Sequence, residues 1–203
     1  RVIIVADTYD LTKAYIGHHD QLTNLIVQAL ADGLERAEAE RFATVHRPDA
    51  YQWLLQGRQH LRVLDLPDLR RARKAFTQAL SCDPTFVPAL SGTARTLILE
   101  WLLLARTDQE LLIHAQSISK RAVDMDPFSA EALRGYAGST LLLGGLDEAI
   151  HNFTVAERLA PHHADILADH ANALSHCSEM TSALAKIKSA IDLNPLSPDD
   201  YLW

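Results

Sequence analysis

Between Ala130 and Pro161 the apolar residues fall into two runs. Leu133, Tyr136, Ala137 and Leu141 recur at helical spacing, and beyond Gly144-Gly145 so do Ala149, Ile150, Phe153 and Ala156. The pattern predicts two amphipathic helices joined by a glycine turn and closed by a proline. Ala164 to Pro195 repeats the plan with different residues.

The repetition extends toward the N-terminus. Pro84, Pro127, Pro161 and Pro195 each follow a helix-end signal, at intervals of 43, 34 and 34 residues. Around them the same pattern of large, small and aromatic positions returns. The third unit carries Leu133, Tyr136, Ala137, Ala149, Phe153, Ala156 and Pro161. The fourth carries Leu167, His170, Ala171, Ala183, Ile187, Ala190 and Pro195. The first has Trp53, Gln56, Gly57, Ala72, Phe76, Ala79 and Pro84, with three extra residues between its halves. The second has Leu90, Thr93, Ala94, Ala115, Ser119, Ala122 and Pro127, with nine extra. Small residues let two helices approach closely, the aromatic fills the gap between neighbouring pairs, and proline ends each pair because it cannot continue a helix.

A helix–turn–helix unit with a 34-residue period resembles the tetratricopeptide repeat (TPR). The resemblance implies an all-α, right-handed superhelix of four units at 50–84, 87–127, 130–161 and 164–195, with residues 196–203 starting a further one. Two positions depart from the family pattern. Ser119 stands where the aromatic belongs, and His170 replaces an apolar residue.

The ends read differently. Val2 to Val5 is a β-branched run, expected as a short strand within a 1–19 remnant of a preceding domain; it needs a partner, either in that domain or in a second copy. Residues 20–47 are expected as an N-terminal capping helix, with Asp20 as its cap and Leu22, Leu25, Ile26, Ala29, Leu30 and Leu34 on one face. The chain opens on Arg1 without an initiator methionine or signal-like segment and stops at Trp203 as a new helix pattern begins. It is therefore expected to be a fragment of a larger protein.

A narrower resemblance rests on the order of several segments: Ala6 to Asp10, the long helix, Pro48 to Arg58, Asp68 to Ala72, and Phe76 to Leu80. That order is similar to the C-terminal region of bacterial signalling proteins whose TPR units follow a class III adenylate cyclase or a winged-helix DNA-binding domain. It implies a bacterial, cytoplasmic regulator whose output domain lies before Arg1.

Composition narrows the function classes. With 203 residues, 48% hydrophobic content and a net charge of −7, the chain reads as a mildly acidic globular protein. Nonspecific binding to nucleic acid or anionic membrane is not its expected role. Cys82 and Cys177 make no disulfide framework and fit a reducing compartment, so a cytoplasmic location is expected. The longest apolar run, Leu97 to Ala105, is interrupted by Glu100 and is too short to span a bilayer. A helix this apolar must be covered. Either it packs on its own partner helix or on the Leu22–Leu34 helix, or Trp101, Leu103 and their neighbours form a self-association surface that makes the chain a homodimer.

No catalytic motif is present: there is no nucleophile elbow, phosphate loop, dinucleotide fingerprint or metal-binding His-Glu-x-x-His. The expectation is no enzyme and no cofactor. Ten histidines invite a metal reading, with His170 and Cys177 on one helical face, but packed or surface histidines explain them equally and no metal is expected. Asp65, Asp68, Asp147 and Glu148 read as helix-start residues that complement the helix dipole.

The TPR resemblance implies a binding groove lined by the first helix of each unit. Its ninth position carries Arg58, Arg95, Gly138 and Asn172, and its fifth Leu54, Ser91, Arg134 and Ala168. Arg58, Arg95 and Arg134 thus stand on one groove, where guanidinium groups suit a partner's carboxylates. The alternative is that they pair with carboxylates of this chain. Chaperone-binding members hold a terminal carboxylate with lysines and asparagines, and only Asn172 falls on such a position, so a chaperone cofactor is disfavoured. The expected partner is a protein or peptide.

Overall fold

The computed structural model describes residues 48–104 and 108–194. The expected strand, the capping helix and the start of a fifth unit lie outside them. Within them the chain forms eight helices: α1 (Pro48–Leu61), α2 (Leu66–Cys82), α3 (Val87–Leu103), α4 (Gln109–Met125), α5 (Ala130–Leu142), α6 (Leu146–Leu159), α7 (Ala164–His176) and α8 (Met180–Leu193). There is no strand among the described residues.

The helices pair as hairpins: α1 with α2, α3 with α4, α5 with α6, and α7 with α8. Each second helix then packs on the first helix of the next hairpin, and the first helices also touch in succession, α1 to α3, α3 to α5 and α5 to α7. Extended helix contacts are confined to neighbouring hairpins, which makes a solenoid rather than a bundle closed around one core. Among the described residues no helix is long and apolar enough to cross a membrane.

The turns between hairpins share one backbone. Asp83, Asp126 and Ala160 each precede proline and hold extended φ values of −140°, −141° and −137°, the conformation a following proline enforces. In all three, the amide of that residue bonds back into the helix: Asp83 to the Ala79 carbonyl at 2.9 Å, Asp126 to Ala122 at 3.0 Å, Ala160 to Ala156 at 2.9 Å. The amide three residues on then closes the turn: Phe86 to Asp83, Ser129 to Asp126 and His163 to Ala160, each at 3.2 Å. Within the third hairpin Gly144 takes φ +94°, and at the equivalent place in the fourth Ser178 takes φ +62°. The left-handed conformation that ends such helices normally selects glycine, and a serine there is strained.

The core is a series of small clusters strung along the solenoid, within the hairpins and between them. Phe76, fully buried, is clamped between two glycines. A Cβ added to Gly92 would stand 2.6 Å from the Phe76 Cζ, and one on Gly57 would meet the same ring. The ring therefore packs directly on two helix backbones. Gly92→Ala is expected to destabilise the chain by about 1–3 kcal/mol through overpacking, although alanine gains about 1 kcal/mol in helix propensity over glycine. A urea midpoint equal to or above that of the parent chain would refute this packing.

Where the second hairpin lacks its aromatic, α5 closes in. Ser119 is fully buried, donates its hydroxyl to the Ala115 carbonyl at 2.8 Å and stands 3.5 Å from the Ser139 hydroxyl. A Cβ on Gly135 would meet the Ser119 Cβ at 3.5 Å. The departure at Ser119 is thus absorbed by small residues on the facing helix and by back-bonding of the hydroxyl.

Candidate functional site

The first helices carry a cluster of charge that crosses three hairpins. On α5, Glu131 and Arg134 stand three residues apart and share a face; on α7, Asp165 and Asp169 stand four apart and do the same. The α5–α7 contact brings the two faces together. Arg134 donates through Nε to the Asp169 Oδ2 at 2.6 Å and through Nη1 to the Asp165 Oδ2 at 3.0 Å, with the Glu131 Oε2 3.6 Å away. Its side chain is only 7% exposed. Arg95 reaches from α3 past α5 to place Nη1 3.6 Å from the Asp169 Oδ2. His163, the residue just before α7, sets its Nε2 2.6 Å from the Glu131 Oε1.

The titration of these groups follows from that geometry. Burial works against the Arg134 charge, but Asp169, Glu131 and Asp165 together raise its pKa well above the ordinary value, so it stays charged. Burial and then the like charge of Arg134 lower Arg95, against the pull of the carboxylates. Partial desolvation by its neighbours pushes the half-exposed Glu131 up, yet Arg134 and the hydrogen bond from His163 hold it down at about 2. The bond to Glu131 raises His163. Two guanidiniums, three carboxylates and one imidazole nearly neutralise one another.

Of the sequence-derived groove residues, the structure brings Arg95 and Arg134 together and joins them through one shared carboxylate. Arg58 is exposed on α1 and has no ion-pair partner among the described residues. Asn172 is exposed on α7, one turn beyond Asp169, and its backbone carbonyl accepts the Ser175 hydroxyl at 2.7 Å. Arg134 thus takes the intrachain pairing that the sequence left open. Glu131, Asp165 and Asp169 were not singled out by sequence, and His163 stood out only among the histidines that invited a metal reading. The signal was there: Glu131 and Asp165 occupy the same place in consecutive 34-residue units, on either side of Arg134.

The other proposed surface divides. Trp101 turns inward, 9% exposed, among Ala94, Leu97, Ile98, Leu112 and Ala115, while Leu103 remains exposed beside Leu102. A buried indole contributes to a self-association surface only if the second hairpin opens. Glu100, the charge within that apolar helix, is buried against Arg70 and Arg73 of α2, a contact that ties α3 to the first hairpin.

A second polar cluster lies where the third and fourth hairpins meet. Glu157 of α6 accepts two bonds from the Lys186 ammonium of α8, at 2.6 and 2.7 Å, and its Oε2 stands 2.6 Å from the His170 Nδ1. His170 is 4% exposed and stacks on Phe153, with centroids 5.9 Å apart. An open cleft of about 510 Å³ runs over Glu157 and Lys186, floored by Leu167 and Ala185. Among the described residues no group of three metal-ligating side chains is close enough to hold an ion.

No protein-family model matches the chain, and no curated protein matches it. Solved structures do. A thermophilic TPR protein of Thermus thermophilus superposes with a TM-score of 0.61 at 21% identity, covering 87% of this chain and 91% of its own. PilF of Pseudomonas aeruginosa gives 0.56 at 17% identity, covering 74% and 64%. At these identities what is shared is the fold, and that fold is the helical-hairpin solenoid of TPR proteins.

Proposed function

We propose that this chain is a non-catalytic interaction module that holds a peptide or partner protein along the face formed by α1, α3, α5 and α7. The observation that carries the reading is the unbroken succession of first-helix contacts: it makes one continuous surface on which Arg58, the half-exposed Arg95 and Asn172 stand. Arg134 serves this surface as a positioning residue, holding α7 against α5, rather than as a free anion site. Arg58 is the group best placed to meet a partner's carboxylate. The order of segments from Ala6 to Leu80 supports placing the module within a larger bacterial signalling or transcription regulator, at work in the cytoplasm.

The test is selection from a random peptide library displayed against the full 203-residue chain. Selected peptides should be enriched in aspartate or glutamate. A charge-assisted bond is worth about 1.5–3 kcal/mol, so Arg58→Glu should weaken the best of them by about tenfold or more with helical circular dichroism unchanged. Peptides that bind Arg58→Glu and Arg95→Gln as well as the parent chain would overturn the assignment of this face.

A further inference from the structure

The junction between the third and fourth hairpins is built unlike the two before it. At the places equivalent to Glu157, the earlier hairpins carry Leu80 and Val123, both packed into apolar clusters. At the places equivalent to His163 they carry Phe86 and Ser129. Only here, among the described junctions, is the incoming helix gripped by two histidine–glutamate contacts. His163 at the start of α7 meets Glu131 of α5, and His170, two turns along α7, meets Glu157 of α6, each at 2.6 Å. One helix is thus clasped to both helices of the hairpin before it.

We propose that His163 and His170 form a two-sided pH clasp that docks the α7–α8 hairpin most firmly near neutrality and loosens it on either side. The two imidazoles meet different surroundings. His163 faces Glu131 and Arg134 of α5 and Asp165 of its own helix; the bond to Glu131 and the nearby carboxylates favour its charged form over the repulsion of Arg134. His170 faces Glu157 and the Phe153 ring of α6, Lys186 of α8 and Glu179 at the start of α8. Burial and then Lys186, which already takes both oxygens of Glu157, favour its neutral form.

The signs are opposite. A histidine whose folded pKa is raised above 6.5 stabilises fully below that pH and loses its contribution as pH climbs through the raised value. One whose folded pKa is lowered below 6.5 stabilises fully above that pH and loses its contribution as pH falls toward the lowered value. Together they bracket the docked state. The consequence reaches the charged face, because α7 carries Asp165 and Asp169. When it swings away, Arg134 and Arg95 lose these two carboxylates, Arg134 keeping only Glu131 of its own helix, and both become more open to a partner's. The clasp itself holds whether or not that face binds anything.

Hydrogen exchange of the full chain from about pH 5 to 8, corrected for the intrinsic exchange rate at each pH, reads the clasp directly. Protection in α7 and α8 should peak near pH 6.5 and fall on both sides, while α1 to α4 show no such peak. His163→Gln should abolish the alkaline fall and keep the acid one; His170→Gln should do the reverse. Proton NMR titration of the unaltered chain reads the same property without a variant: the His163 midpoint should lie above 6.5 and the His170 midpoint below it. Midpoints displaced to the same side, or protection in α7 and α8 that tracks α1 to α4 across the range, would overturn the proposal.

Discussion

Replacing Phe76 by alanine is expected to cost about 3–5 kcal/mol, the upper range for a core aromatic. The ring is fully buried and its neighbours on two sides are the bare backbones of α1 and α3 at Gly57 and Gly92. No flexible side chain stands there to relax into the space, so most of the cavity should persist. Since a domain's whole stability is about 5–15 kcal/mol, the first two hairpins should come apart before the rest. Tryptophan fluorescence reads this: Trp53 sits partly buried against the same cluster, and its emission should shift at lower urea than the helical signal of the whole chain. A single shared transition at the parent midpoint would contradict it.

Arg134→Met should be nearly as damaging, by about 3 kcal/mol, because it strands acidic groups that a buried guanidinium holds together. The figure sits at the low end because Asp165 and Glu131 keep enough exposure to regain water. The pH dependence separates this from simple loss of packing. In the parent chain Glu131 is held at about 2 against an ordinary 4.5, so it stabilises above pH 4.5 and the benefit drains away as pH falls toward 2. Without Arg134, the first of the groups that hold Glu131 down, part of that benefit is missing at the outset. The gap between variant and parent in urea midpoint should therefore be large near pH 7 and shrink near pH 3. A gap that stays constant with pH would mean the methionine costs only packing.

Much of the fold was legible because it is written in residues whose role is local. Proline after an extended residue makes the turn wherever it falls, and alanine permits close approach wherever two helices cross; Pro84, Pro127 and Ala72, Ala115, Ala149 needed no knowledge of the rest of the chain. Asp65 also reads correctly as a cap, its Oδ1 accepting the Asp68 amide at 2.7 Å. The charged face was only half legible. The first-helix positions of Arg95 and Arg134 follow from the period, but whether a guanidinium faces solvent or a carboxylate depends on how α5 and α7 slide past each other. That register is set by apolar packing at Leu133, Ala156 and Ile166, not by the arginine itself. Trp101 turns inward for a similar reason: α3 and α4 are both 17 residues long, so the apolar end of α3 finds Leu112 and Ala115 on its own partner.

The backbone bonding of the Asp83, Asp126 and Ala160 turns is the same whichever side chain supplies them, and each of these turns spans four residues. The connections inside hairpins are not held to one length: Arg62–Asp65 joins α1 to α2, whereas Leu143–Gly145 suffices between α5 and α6. Length variation is thus tolerated at one rim of the superhelix and refused at the other. Peptide tags or sensor loops grafted into Arg62–Asp65 leave the pitch untouched, whereas one residue added beside Pro84, Pro127 or Pro161 rotates everything downstream of it.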